Sequence, residues 1–346
     1  MTASEAQRWK RMPPGAKWGE FGADDQLGRV NLITPERRLD AVREVSAGLT
    51  FSLSLPLNLP GGADMVPSRR GPIIEPTVRA TGEASWNYAF PRDDGGARDV
   101  VSDDKITVWT QYSTQWDSLA HWGQEFDADG DGVPEIVYYN GFRGGDDVVD
   151  PDNEGLVRAA ALGLENVAVH GMQARGVLID LVTPFGSDRR SVGWDELKDV
   201  IRDQKIEIRP GDVVCFYTGW ANLVTEMAGV PDVDVLRTSC PVLDGRDPEI
   251  LNWITESGAA AICADNLGVE AVGGAPALAE DGVPSSIMPL HEHCIFKLGV
   301  LLGEMWYLQE LAAWLRQAGR HSFLLTAPPL RLPGTVGSPV TPIATV

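Results

Sequence analysis

The sequence is short of positive charge. Its 29 lysines and arginines stand against 49 aspartates and glutamates, leaving a net charge of −20. Nucleic-acid phosphates need a basic face, so nucleic acid is not an expected partner. Long apolar runs are missing too, and without one of about 18 residues no helix is expected to span a membrane. Met1 to Lys10 lack the apolar core of a secretory signal. Cysteine is scarce. The four, Cys215, Cys240, Cys263 and Cys294, form no CxxC pair. That excludes a thiolate metal motif and points to a reduced, cytoplasmic protein. No phosphate-loop spacing and no GxSxG elbow occur. What remains is a chain of 346 residues, 43% hydrophobic and 23% charged, enough to bury a large core.

The order of elements reads as one mixed α/β domain over residues 1–346, with an irregular segment over about 1–25 anchored by Trp9 and Trp18. Thr34-Pro35 predicts an N-cap and a first helical proline, with a helix running to about Ser46. Leu49 to Leu57 alternates like a strand. A Pro/Gly-rich stretch from Pro60 to Pro76 is long enough to be a lid or an oligomer arm. Lys105 to Trp109 predicts a short strand. Residues 153–165 predict a helix, with Val157, Ala160, Ala161 and Leu164 on one face. Gly176–Leu181, Val213–Tyr217 and Ala259–Ala264 predict buried strands. Trp194–Gln204, Pro248–Glu256 and Leu308–Ala318 predict helices, the second capped by Asp247. Cys294–Val300 predicts a helix or a buried turn. No linker or composition break divides the second half.

The chemistry concentrates in Gln111-Tyr112-Ser113-Thr114-Gln115-Trp116-Asp117-Ser118-Leu119-Ala120-His121. In an extended segment, residues i, i+4 and i+6 point to one side, so Gln111, Gln115 and Asp117 can converge. His121 follows within reach. This is the spacing of a metal-hydrolase motif with glutamine at two ligand positions.

That stretch resembles the mark of the cyclase family of kynurenine-formamidase-like and isatin-hydrolase-like amidohydrolases, His-x-Gly-Thr-His-x-Asp-x-Pro-x-His. Thr114, Asp117 and His121 match; Gln111, Gln115, Ser113 and Leu119 depart from it. Trp18-Gly19-Glu20, Asp25-Gln26-Leu27-Gly28 and Asn31-Leu32-Ile33-Thr34-Pro35 are similar to the leading segment of the family's longer members. Arg175–Asp180, Arg209–Val214 with Thr218-Gly219-Trp220, and Ala264–Glu270 are similar to its later strands and loops. Pro289-Leu290-His291 and Gly303-Glu304 resemble its late His and Glu. The resemblance implies the swivelling β/β/α fold of that family. It also implies a metal role for Asp117, His291 and Glu304, with His293 as a rival for His291.

A glutamine amide is a weaker ligand than imidazole for zinc or manganese. The expected site therefore holds one Mn or Zn ion on Asp117, His291 and Glu304. His121, Gln111 and Gln115 supply the acid–base and hydrogen-bonding groups. The expected reaction is hydrolysis of a small cyclic or aryl amide, or a related ester or lactone, in a homo-oligomer. The alternatives are a lyase or cyclase working without metal, and a non-catalytic small-molecule binding protein. Trp116, Trp122, Tyr112 and Trp220 are the candidate aromatic walls for the substrate. Separately, Asp127, Asp129, Asp131 and Glu135 have the oxygen spacing of a calcium loop, but Tyr138 stands where the bidentate glutamate belongs. A calcium ion there would be structural.

Overall fold

Apolar runs from the second half of the chain form the centre of a mixed sheet. The computed structural model describes residues 7–90, 95, 97–272 and 286–346. Its main sheet has nine strands: β1 (Thr50–Ser52), β2 (Gln115–Asp117), β3 (Gln173–Asp180), β4 (Val213–Tyr217), β5 (Ala261–Ala264), β6 (Leu301–Glu304), β7 (Ser322–Thr326), β8 (Gly337–Pro339) and β9 (Ile343–Thr345). Their spatial order is β1-β9-β7-β3-β4-β5-β6-β2-β8. Strands β3 to β6 run parallel to one another, and β2 and β8 extend the sheet antiparallel beyond β6. The parallel strands are apolar along most of their length because they are buried on both faces. Together the elements form the single mixed α/β domain expected from the sequence.

Helices α1 (Pro35–Val42), α2 (Trp194–Asp203), α3 (Pro248–Ser257) and α4 (Gln309–Ala318) follow the expected pattern. The Thr34 hydroxyl caps α1 by accepting from Arg37 N, and the Asp247 carboxylate caps α3 by accepting from Glu249 N. Helix α1 stops short of Ser46. The chain there turns so that Glu44 meets Arg175 at 2.9 Å and the Ser322 hydroxyl at 2.8 Å. Arg175 in turn holds buried Asp212 at 2.6 Å, tying α1 to the sheet.

Other expectations need correction. The strand over Leu49–Leu57 shrinks to Thr50–Ser52, and that over Lys105–Trp109 becomes Asp104–Thr107. No helix occupies 153–163. Arg158–Ala159 pairs with Val148–Val149, and a helix begins only at Leu164. The Asp152 carboxylate accepts from Glu154 N and Leu156 N, a side-chain turn that competes with helix. Val157 is largely exposed, so no core face supports a helix there.

The irregular leading segment is anchored by both tryptophans. Trp18 is buried, donates its indole N–H to Phe296 O at 2.8 Å, and meets the Phe296 ring edge-on at 5.3 Å. Phe296 lies in a π-helical stretch, Glu292–Leu298, that continues directly from His291. The segment therefore clamps the element that carries one of the candidate ligands. Among the described residues no helix is long and apolar enough to cross a membrane.

Candidate functional site

The site is built where β2 and β6 pair. Their antiparallel register sets Gln115 opposite Glu304 and Asp117 opposite Leu302. Directly opposed residues share a face, so Gln115, Asp117 and Glu304 point the same way. Gln115 Nε2 lies 3.2 Å from Asp117 Oδ1 and 3.2 Å from Glu304 Oε2, donating between two carboxylates. Gly303, between Leu302 and Glu304, allows this packing. A Cβ there would lie 2.8 Å from both Cys263 Sγ and Trp306 Nε1.

His291 arrives from a short turn opened by Pro289. The Glu270 carboxylate accepts from Leu290 N, from His291 N at 2.9 Å and from His291 Nδ1 at 3.0 Å. That leaves His291 Nε2 facing Glu304 Oε1 at 3.2 Å. One ligand atom each from Asp117, His291 and Glu304 all lie within 4.8 Å of one another. His293 does not compete. Its Nε2 pairs with the Thr255 hydroxyl at 2.8 Å, and burial lowers its pKa to about 4.

Burial shapes the electrostatics. Asp117, His291, Glu304 and Glu270 are all at most 3% exposed. Burial raises the Asp117 pKa, and the Glu304 charge adds to the rise. For Glu304, burial is outweighed by the hydrogen bond and charge of His291, so its pKa falls. Burial likewise opposes charge on His291, but Glu270 and Glu304 overcome it and push its pKa up to about 10. Three buried carboxylates thus meet one buried imidazole, an excess of negative charge that a divalent cation would offset. The donors, one imidazole nitrogen and two carboxylates, suit zinc or manganese. Gln115 Oε1 is buried with no partner. As oriented, Gln115 steadies the carboxylates as a donor.

His121 stands at the opening, its side chain 19% exposed, with Nε2 at 3.8 Å from Asp117 Oδ1. Gln111 reaches it differently from the extended reading. Residues 111–114 form a turn, and strand begins only at Gln115. Gln111 Oε1 accepts from the Thr110 hydroxyl at 2.7 Å, which directs Nε2 to His121 Nδ1 at 3.5 Å. Its side chain lies over Gly337, where a Cβ would come within 2.2 Å of Gln111 Nε2. Buried Thr114 fixes the turn by donating to Met305 O and accepting from Leu55 N.

The aromatic candidates separate. The Trp122 ring lies 5.2 Å from His291 and 6.4 Å from His121, so it borders the cluster. Tyr112 and Trp220 line a narrow adjoining cavity with Arg69, Gln111 and Met305. Tyr112 OH accepts from Gly61 N and donates to Gly62 O, pinning the Pro/Gly-rich stretch over that cavity. Trp116 is no substrate wall. It alternates to the other face of β2, is fully buried, and donates to Ala327 O at 2.8 Å.

Two contributors escaped the sequence reading of the site. Glu270 orients His291, and Arg69 sits close enough to lower the pKa of both Asp117 and Glu304. The only signal for Glu270 was an acidic residue soon after a buried strand. The calcium candidate is partly assembled. Asp127, Asp129 and Glu135 offer atoms within 4.8 Å of one another, while Asp131 Oδ1 accepts from Val133 N. Arg11 and Arg143 already pair with Asp127 and Glu135.

This arrangement can be set beside known proteins. The family model described as "Putative cyclase" matches residues 51–271. The chain belongs to this cyclase family. The solved structure of a novel cyclase is 30% identical, with a TM-score of 0.74, covering 97% of this chain and 100% of that one. An isatin hydrolase bound to the product analogue thioisatinate is 16% identical at a TM-score of 0.53, covering 90% and 99%. Isatin hydrolase A from Labrenzia aggregata is 14% identical at 0.54, covering 87% and 94%. The isatin hydrolases share the fold of this cyclase-family chain. No curated protein matches it.

Proposed function

We propose that this cyclase-family protein is a hydrolase of small cyclic or aryl amides, or of related esters or lactones. The observation that carries the reading is the convergence of Asp117, His291 and Glu304 within 4.8 Å beneath His121. The isatin hydrolase fold supports it. Asp117, His291 and Glu304 would hold one divalent ion, zinc or manganese. When bound, such an ion supplies Lewis acidity toward a carbonyl and acidifies water.

The chain's own groups do the rest. Glu270 fixes the His291 ring so that Nε2 faces the cluster. Gln115 donates to Asp117 and Glu304 and steadies their rotamers. His121, at the mouth, exchanges protons with the attacking water and the leaving group. Asp117 beside it stabilises the imidazolium that forms. Trp122 and the walls of the adjoining cavity exclude bulk water and take the apolar part of the substrate.

One observation favours a second reading. Both nitrogens of His291 already have carboxylate partners, so its hydrogen bonding is complete within the chain. A metal-independent lyase using His121 and Glu304 follows from it. Incubating protein purified without chelators with lactones and aryl amides in ¹⁸O-labelled water separates the two. Hydrolysis places label in the product acid, with about one equivalent of zinc or manganese in the active protein. Product without label supports the lyase, and active protein free of transition metal refutes the one-ion site.

A further inference from the structure

Asn266 occupies a place that a structural asparagine would not. It lies in the loop after β5, 2% exposed, and both its Oδ1 and Nδ2 are buried with no hydrogen-bond partner. Its backbone is fixed, because Met305 N, next in sequence to Glu304, donates to Asn266 O at 3.0 Å. The side chain borders a narrow recess with apolar walls from Trp220, Leu236, Val242 and Leu267. Glu270, which holds His291, lines the same recess. Arg189 and Arg237 stand on its lip, which disfavours a cationic ligand.

A buried amide left without partners loses its hydration and gains nothing in return. A leucine would fill the space without that loss. Retaining both a donor and an acceptor is explained by a ligand that presents the complementary pair. We infer that Asn266 is a ligand-binding residue that reads an amide-like face, a C=O and an N–H side by side, on a small apolar molecule. The Asn266 amide then donates from Nδ2 to the ligand carbonyl and accepts at Oδ1 from the ligand N–H. This deepens the proposed function in one respect: it rests on the hydrolase reading only in treating that ligand as a substrate.

Binding and stability together test it without any turnover. Benzamide carries the amide face; acetophenone has the same ring and carbonyl but no N–H. Ligand-observed NMR titration of wild-type protein should show benzamide binding about tenfold more tightly than acetophenone, the scale of one lost buried hydrogen bond. Asn266→Leu should melt no lower than wild type and lose that preference. Asn266→Asp, nearly the same shape, keeps the acceptor but loses the amide donor; it should weaken both probes while keeping the benzamide preference, and it covers the case in which the leucine variant does not fold. Equal affinity of the wild type for the two probes, or no binding of benzamide, overturns the inference. So does a preference that survives in Asn266→Leu, or undiminished binding of both probes to Asn266→Asp. A benzamide preference in protein that hydrolyses no amide, ester or lactone would sink the hydrolase reading and leave the Asn266 site standing.

Discussion

Ion binding should raise the melting temperature, and the structure sets the scale. Asp117, Glu304 and Glu270 are 0%, 3% and 1% exposed, with His291 the buried imidazole among them. A cation that binds this folded cluster and not the unfolded chain stabilises by RT ln(1 + [L]/Kd), about 2.7 kcal/mol at a hundredfold excess over Kd. Unfolding entropy is about 2.1 cal/mol/K per residue, or roughly 0.7 kcal/mol/K for this chain, so the midpoint should rise by about 4 °C. Calorimetric scans of chelator-stripped protein, with and without added zinc or manganese, read this directly. Asp117→Asn removes one of the two proposed carboxylate ligands and should remove the shift. Glu270→Gln leaves the ligands but loosens His291, and should weaken affinity about 10- to 100-fold. Its titration midpoint should move to higher ion concentration by that factor. An equal shift in Asp117→Asn, or no shift in the wild type with either ion, would refute the assignment.

Other substitutions separate chemistry from packing. His121→Ala should lower kcat by about 10²- to 10⁴-fold. Its stability should stay within about 0.5 kcal/mol, because the ring is partly exposed at the mouth; steady-state kinetics and a denaturant titration check both. Gly303→Ala places a methyl 2.8 Å from Cys263 Sγ and Trp306 Nε1, and should cost about 1–3 kcal/mol by overpacking. Because Glu304 is next in the chain, its ion affinity should fall too, measurable by titration calorimetry. Trp116→Ala should cost about 3–5 kcal/mol in urea unfolding, as the loss of a fully buried core ring. Substrate KM in the surviving protein should change little, since the ring faces away from Gln115 and Asp117.

The central strands are legible in sequence because parallel strands buried on both faces leave continuous apolar runs. Val213–Tyr217 and Ala261–Ala264 carry no competing signal. Asp117, His291 and Glu304 could be named together only through the resemblance to the cyclase family, because no local pattern joins them; the pairing of β2 with β6 and the turn at Pro289 bring them together. What escapes the sequence is geometry set by tertiary contact. The helix expected over 153–165 loses to a local turn at Asp152, because its apolar residues find no common face to bury. The choice between His291 and His293 depends on which ring Glu270 can reach, and Glu270 is 21 residues from His291 in the chain. Gln111 illustrates the same point. An extended segment would bring it to Asp117 by alternation alone. The chain instead turns at 111–114, held by Thr114, and Gln111 meets His121 over the bare backbone of Gly337. Its position is therefore a property of β8, more than 200 residues downstream, and no local pattern around Gln111 encodes it.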